Sequence, residues 1–340
     1  MSEKYSIVHL VDDSAVAGVA RDIDFLVNSA EVAHAGSHKV VSVRRGQINA
    51  PKLNADIIVS HLSVCWANLP FFAALRAAYP RTPLVHVEHT HTERYVALNV
   101  KNTNRFETLF RSVMAVFDQV VAVSEGQAQW MRRKGYCPGG RLSVIEPCSD
   151  LAPFLATFPR ASRAPRVVAA IGAIETRAGF DILVEAFQDE ALAHLELHIH
   201  GEGSQLKALK AMARGRGNIV FKGPVADQAA AVAACDVVAM PSRWDAGGVE
   251  AVEAMAASRP VICAPCDGAA VHLDGGAIDV GQNTPGSWVE VLSHLADRDL
   301  NAIRADSRLH AQTVRKQHAQ AWVELIYSAI GASEGEKLAA

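Results

Sequence analysis

Short apolar runs rich in Val, Ile and Ala alternate along the chain with stretches whose apolar residues recur at helical spacing. Such runs, bounded by Gly, Pro, Asp and Ser, read as buried strands of parallel sheets joined by crossover helices. The first half predicts strands near 6–11, 39–43, 56–60, 83–88, 118–123 and 142–145, with helical segments such as 19–29 and 69–78 between them. The second half repeats the plan near 166–171, 195–200, 218–222, 236–240 and 260–264. Between the halves, 150–165 carries Pro153, Pro159 and Pro165 without clean periodicity and predicts a linker. From Arg304 to Ile330, Leu309, Val314, Trp322, Leu325 and Ile326 recur among polar residues, which predicts one or two amphipathic helices followed by a frayed 331–340.

The pattern is therefore α/β, with two Rossmann-like sheets. Ligands of open α/β sheets bind beyond the carboxyl ends of the strands, so the loops that follow strands are where chemistry is expected. A length of 340 residues accommodates two such domains, each able to bury its own core. Half the residues are apolar and a fifth charged, the profile of a globular chain. A net charge of -3 gives no global attraction to polyanions, so nucleic acid is not expected as a partner. Met1 to Lys4 run directly into a strand pattern, and no apolar stretch approaches the roughly 20 residues of a membrane span. A cytoplasmic location is the expectation. The six cysteines are scattered, and Cys263 and Cys266 form one isolated CxxC, which reads as core or loop thiols rather than as half of a zinc site.

The richest segment follows the strand pattern that ends at Met240. Pro241, Ser242, Asp245, Gly247, Gly248 and Val249 lead into a helical pattern from Glu250 to Ala257 that contains Glu253. Glycines at a strand-to-helix turn present backbone N–H groups where the helix dipole also favours an anion, and phosphate is the natural guest. Glycines at such turns also occur for packing alone. Asp245 and Glu253 bracket the turn, and two carboxylates suit the hydroxyls of a sugar and a ribose, not the phosphates themselves.

Taken together, Pro241, Ser242, Asp245, Gly248, Glu253, Ala254, Met255, Ala256, Pro260, Val261 and Ile262 resemble the donor-site motif of family 4 of the GT-B retaining glycosyltransferases, with Asp in place of the first Glu of Glu-x7-Glu. The resemblance extends more weakly over the chain. Gly18 lies in a segment like the family's N-terminal Gly-rich loop, and His89, with His91 two residues on, stands where the family carries a histidine near the reacting sugar. Val123 to Glu125 resembles the strand end before the family's crossover. Gly172 to Asp181 looks like its phosphate loop, Gly201 and Gly203 like its Gly-x-Gly turn, and Phe221 to Val225 like the segment facing the base.

The resemblance implies a GT-B fold of two Rossmann-like domains facing each other across a cleft. An acceptor-side domain would cover 1–152, a nucleotide-sugar domain 160–312, and a helix at 313–340 would pack back on the first. It implies retaining transfer of a sugar from a nucleoside diphosphate to a hydroxyl of a saccharide or lipid-linked acceptor, in cell-surface glycan synthesis. No cofactor or metal is implied. His89 and Asp245 would serve the reacting sugar, and Gly18, Gly172, Arg177, Gly201, Gly203, Val225, Arg243, Gly247, Gly248, Val249 and Glu253 the donor. One departure matters. Where the family places Arg and Lys in the phosphate loop, this chain has Ala173 and Ala178, with Arg177, Arg243 and Arg259 as candidate substitutes. A sugar-binding or assembly protein without transfer activity, or a nucleotide-sugar epimerase, is the alternative. Finally, 99–111 predicts a basic amphipathic helix, which with Arg132, Arg133 and Lys134 reads either as a core-facing helix or as a peripheral membrane contact.

Overall fold

A computed structural model describes residues 5–12, 17–157, 164–266 and 268–339. The chain divides into two compact units, one of residues 1–149 with 315–340 and one of residues 150–314.

The first unit contains β1 (Tyr5–Val11), α1 (Ala17–Asn28), β2 (Gly36–Ser42), β3 (Ile57–Ser60), α2 (Leu69–Ala78), β4 (Leu84–Glu88), α3 (Glu93–Asn99), α4 (Thr103–Met114), β5 (Gln119–Ala122), α5 (Glu125–Arg133) and β6 (Leu142–Val144). Its sheet is parallel in the order β2-β1-β3-β4-β5-β6. The central strands β3 and β4 are buried along their whole length, which is why they read as continuous apolar runs rather than as alternation. Phe71, Phe72 and Leu75 of α2 and Phe106, Phe110 and Val113 of α4 close the core against them.

Within 99–111 the helix is not continuous. It breaks at Val100, and α4 restarts on an Asn102 side chain that accepts from the Arg105 amide at 3.0 Å. The apolar face of α4 points into the core, and its basic neighbours are paired: Arg111 and Lys134 with Glu107, Arg132 with Glu125, and Arg133 with Glu93. The core-facing reading of this segment therefore holds for α4, whose apolar face is not available to a bilayer.

The second unit contains α6 (Ala152–Leu155), β7 (Val167–Ile171), α7 (Phe180–Ala186), β8 (Glu196–His200), α8 (Leu206–Met212), β9 (Ile219–Gly223), α9 (Gln228–Ala233), β10 (Val237–Met240), α10 (Val249–Ala256), β11 (Val261–Cys263), β12 (Ile278–Asp279) and α11 (Pro285–Ser293). Its parallel sheet runs β12-β11-β10-β7-β8-β9. Strand order reverses between β7 and β10, so the loops after these two strands, 172–179 and 241–248, flank the switch point where such sheets bind ligands. β12 has two residues, too few to leave a pattern in the sequence.

The chain returns to the first unit within α12 (Leu300–Ala339). The expected tail of one or two helices followed by frayed residues is a single helix that continues through Ala339. Val314, Trp322, Leu325 and Ile326 are buried as predicted, whereas Leu309 is 65 % exposed. In the first unit His318 Nδ1 donates to the Glu146 carbonyl at 2.7 Å, and the Trp322 ring meets His9 edge-on. The expected linker contains α6, whose Phe154 is buried, and 158–163 lie outside the described residues.

Candidate active site

In the second unit the switch point is built from two loops held against each other. The Arg243 amide donates to the Arg177 carbonyl at 2.8 Å, pinning the short helical turn Thr176–Ala178 to the loop after β10. Gly179 caps the approach: at φ 69° an added Cβ would overlap the Pro241 carbonyl oxygen. Gly201 does the same one strand over, where a Cβ would overlap the Gly172 carbonyl. Gly179 of the segment that resembles a phosphate loop and Gly201 of the segment that resembles a Gly-x-Gly turn thus have a packing role here, close backbone contact. Asn283, just after β12, buttresses the site by donating to the Pro241 carbonyl at 2.9 Å while accepting from the indole of the fully buried Trp288 at 2.9 Å.

At the head of α10 the Asp245 carboxylate accepts from the Gly247 and Gly248 amides at 3.2 and 3.3 Å. The sequence leaves these amides open to a phosphate; in the folded chain Asp245 already caps them, so an incoming anion must share or displace its carboxylate. Gly248 is left-handed at φ 64°, and a Cβ there would stand 3.2 Å from His272 Nε2. Val249 opens α10 and is buried, and Glu253 one turn on is fully buried. Burial pushes the Asp245 carboxyl up, against the pull of the Arg177 guanidinium, whose Nη1 lies 3.5 Å from Asp245 Oδ2.

The three candidate cations have different fates. Arg243 is committed to Asp181, its two terminal nitrogens donating to the two carboxylate oxygens at 2.8 and 2.6 Å, and also to the Thr176 carbonyl at 2.9 Å. Arg259 is buried and donates to the Ala257 and Ala233 carbonyls. Arg177 alone of the three reaches Asp245. Ala173 is exposed, and Ala178 belongs to the core. Gly172 and Gly203 lie in the loops after β7 and β8, and Val225 is half-buried two residues beyond β9. Glu175, which sequence reasoning missed, ties these loops together by accepting from the Ser204 amide and hydroxyl at 2.8 and 2.5 Å. His272 was missed as well; it is buried under Gly248, and nothing in its sequence neighbourhood marks it.

Gly18 and His89 belong to the first unit. Gly18 lies in the first turn of α1, so 17–21, expected as a Gly-rich loop, are helical, and 13–16 before them lie outside the described residues. β4 ends at Glu88, so His89 and His91 lie in the turn beyond the strand. His91 turns back to Glu88, with Nδ1 and Oε1 3.1 Å apart, and Glu88 Oε1 also accepts from the Thr90 and His91 amides at 2.8 and 2.9 Å. Burial alone would raise the Glu88 carboxyl; His91 and His86 hold it well below the usual range. The Gln127 side-chain amide donates to the Glu88 and His91 carbonyls at 2.9 and 2.8 Å, which fixes the turn presenting His89.

Two parallel six-stranded sheets with a built switch point in the second define the GT-B class of glycosyltransferase folds. The structure matches that of Anabaena HepE in complex with UDP and glucose with a TM-score of 0.69 at 16 % identity, over 94 % of this chain and 99 % of that one. It matches WaaG, a glycosyltransferase involved in lipopolysaccharide biosynthesis, with a TM-score of 0.68 at 17 % identity, again over 94 % and 99 %. The family model described as Glycosyltransferase Family 4 matches residues 36–153, and that described as Glycosyl transferases group 1 matches residues 165–298. A D-inositol 3-phosphate glycosyltransferase of Jonesia denitrificans is 30 % identical over 313 residues, 86 % of this chain and 70 % of that protein. Another, of Mycolicibacterium gilvum, is 28 % identical over 287 residues, and there the match spans 63 % of the relative's length. The chain belongs to family 4 of the glycosyltransferases, the group 1 glycosyl transferases.

Proposed function

We propose that the protein transfers a sugar from a nucleoside diphosphate to a hydroxyl of a saccharide or glycolipid acceptor with retention at the anomeric carbon, in cell-surface glycan synthesis at the cytoplasmic side. The observation that carries this reading is the head of α10: Asp245 capping the glycine amides, Arg177 at its carboxylate and Glu253 buried one turn on. In this reading Asp245 accepts from sugar hydroxyls, Glu253 from the ribose, and the amides with Arg177 stabilise the charge on the departing diphosphate. Orientation and electrostatics supply the catalysis, with no protein nucleophile. HepE's complex with UDP and glucose supports a uridine nucleotide as donor, and the names of the relatives support a polyol or saccharide acceptor. Among the described residues no helix is long and apolar enough to cross a membrane.

A thermal-shift series with UDP, GDP and their glucose and N-acetylglucosamine esters tests the reading. A ligand at a hundred times its Kd adds about 2.7 kcal/mol of stability, a shift of several degrees. Asp245→Asn and Glu253→Gln are expected to keep the melting temperature of the free protein near wild type and to lose that shift. If no nucleotide raises the melting temperature of the wild-type protein, the donor-site reading is wrong.

A second reading, sugar binding without transfer, draws support from Ala173 and Ala178, which leave Arg177 with the work of two cations. Turnover of any nucleotide sugar into a glycosylated acceptor eliminates it.

A further inference from the structure

Four histidines form one line of hydrogen-bonded rings across the first unit. His38 Nδ1 lies 2.9 Å from His9 Nε2, His9 Nδ1 2.9 Å from His61 Nε2, and His61 Nδ1 2.8 Å from His89 Nε2. Successive ring centroids are 5.2 Å apart, and successive planes are tilted by only 22° to 28°. The sheet makes this line. β2, β1, β3 and β4 are adjacent and parallel, and His38 is level with Ile7, two residues before His9. His9 is level with Val59, two residues before His61; Ser60 is level with His86, so His89 again stands two residues further on. Each step crosses one strand and advances two residues, which keeps every ring on the same face. The line climbs to the carboxyl end of the sheet and passes its switch point, between β1 and β3, on the way to His89.

Every link joins Nδ1 of one ring to Nε2 of the next. A neutral imidazole has one donor and one acceptor, so three such links in a neutral row allow two arrangements, with all protons on Nδ1 or all on Nε2. The far end decides between them. His38 Nε2 is buried and has no hydrogen-bond partner among the described residues. With a proton on every Nε2 it would be an orphaned buried N–H, which folded proteins rarely tolerate; with the protons on Nδ1 it is a bare lone pair, a lesser cost. The rings are also held neutral: burial pushes His9 down to about 3, His38 and His89 to about 4, and His61 well below the usual range.

We propose that His38, His9 and His61 are positioning residues that hold His89 as its neutral Nδ1–H tautomer, donating from the carboxyl end of β4 to an oxygen of a sugar substrate. The orientation of His89 follows from the row alone; its use in transfer rests on the donor-site reading above. His9 is sealed from above by Trp322, and the turn after β4 is held by Gln127, so ring orientation is set by packing as well as by the links.

Nitrogen-15 NMR of the imidazoles in the full-length protein tests the tautomer directly, with His89 assigned from the spectrum of His89→Gln. The expected result is a protonated Nδ1 and an unprotonated Nε2 at every pH from about 6 to 8. An Nε2–H or an imidazolium at His89 in that range overturns the proposal, and this measurement needs no variant that folds poorly. His61→Leu removes the donor to His89, whereas His61→Asn keeps an N–H at the δ position. The leucine variant is expected to lose roughly ten- to a hundredfold in kcat with donor KM within about twofold of wild type, and the asparagine variant to recover most of it. A folded His61→Leu protein with the wild-type kcat also overturns the proposal. Stabilisation by UDP, measured on the same samples, reports on the donor site separately: its absence refutes that reading while the tautomer measurement still decides the row.

Discussion

Asp22 on α1 is buried beside His318 of α12, with Asp22 Oδ1 3.5 Å from His318 Nε2 and accepting from the Cys148 amide at 3.0 Å. At that distance the two could pass for an ion pair, yet both are shifted toward neutrality. Burial raises the Asp22 carboxyl from 3.8 to about 7, against the pull of the Cys148 amide, and burial lowers His318 to about 4. An ion pair would shift each the other way. The contact is therefore a carboxylic acid beside a neutral imidazole, whose Nε2 is an unfilled acceptor because Nδ1 donates to Glu146.

The consequence for stability has a definite sign. A carboxyl with a raised pKa binds its proton more tightly in the folded chain, so its favourable contribution is present at low pH and is lost as pH rises from 3.8 to about 7. A shift of about three units corresponds to on the order of 4 kcal/mol, an upper figure because buried groups relax. Asp22→Asn reproduces the protonated acid at every pH, keeping an oxygen for Cys148 and offering an N–H to His318. The variant is expected to be about 2–4 kcal/mol more stable than wild type at pH 8 and equal to it near pH 4. Urea denaturation of both proteins across that range measures the difference, and taking the difference removes the histidines, which contribute equally to both. Parallel pH profiles, or a variant less stable at pH 8, would refute the reasoning.

Three further outcomes are expected. Gly201→Ala drives a Cβ into the Gly172 carbonyl at a left-handed φ of 135° and should cost about 2–4 kcal/mol, read by denaturant unfolding of the second unit. Arg177→Gln should weaken binding of UDP about ten- to a hundredfold by calorimetry, the worth of one or two charge-assisted contacts; Arg243→Gln, which breaks the fork to Asp181, should instead lower the melting temperature. Below pH about 6.5 the chain should lose stability steeply. His9, His61, His89 and His318 have folded pKa values pushed down by burial, so stability is lost as pH falls through the unfolded value toward the folded ones. A melting curve unchanged between pH 7 and 5 would count against those buried neutral rings.

Most of the fold was legible along the chain. Apolar runs at β3, β4, β7 and β10 and helical spacing at α1 and α2 are local signals, and buried parallel strands make them strong. The segment from Asp245 to Glu253 could be located for the same reason: a strand end, a glycine turn and a helix start are contiguous in sequence. β12 and the break between α3 and α4 were not legible, one being too short for periodicity and the other resting on a single Asn102 cap.

What residue types and spacing determined was therefore the class of the fold, the family and the place of the loop that leads into α10. Only the tertiary structure decided how the polar groups are spent. Asp245 caps the amides that the sequence leaves open, Arg243 is taken by Asp181, and Arg177 is left facing Asp245. His9, His38, His61 and His89 are far apart along the chain, and they meet because parallel strands bring i and i+2 registers side by side. Hydrogen bonds act over about 3 Å, and pairings between residues far apart in sequence exist only once the sheet has set their register.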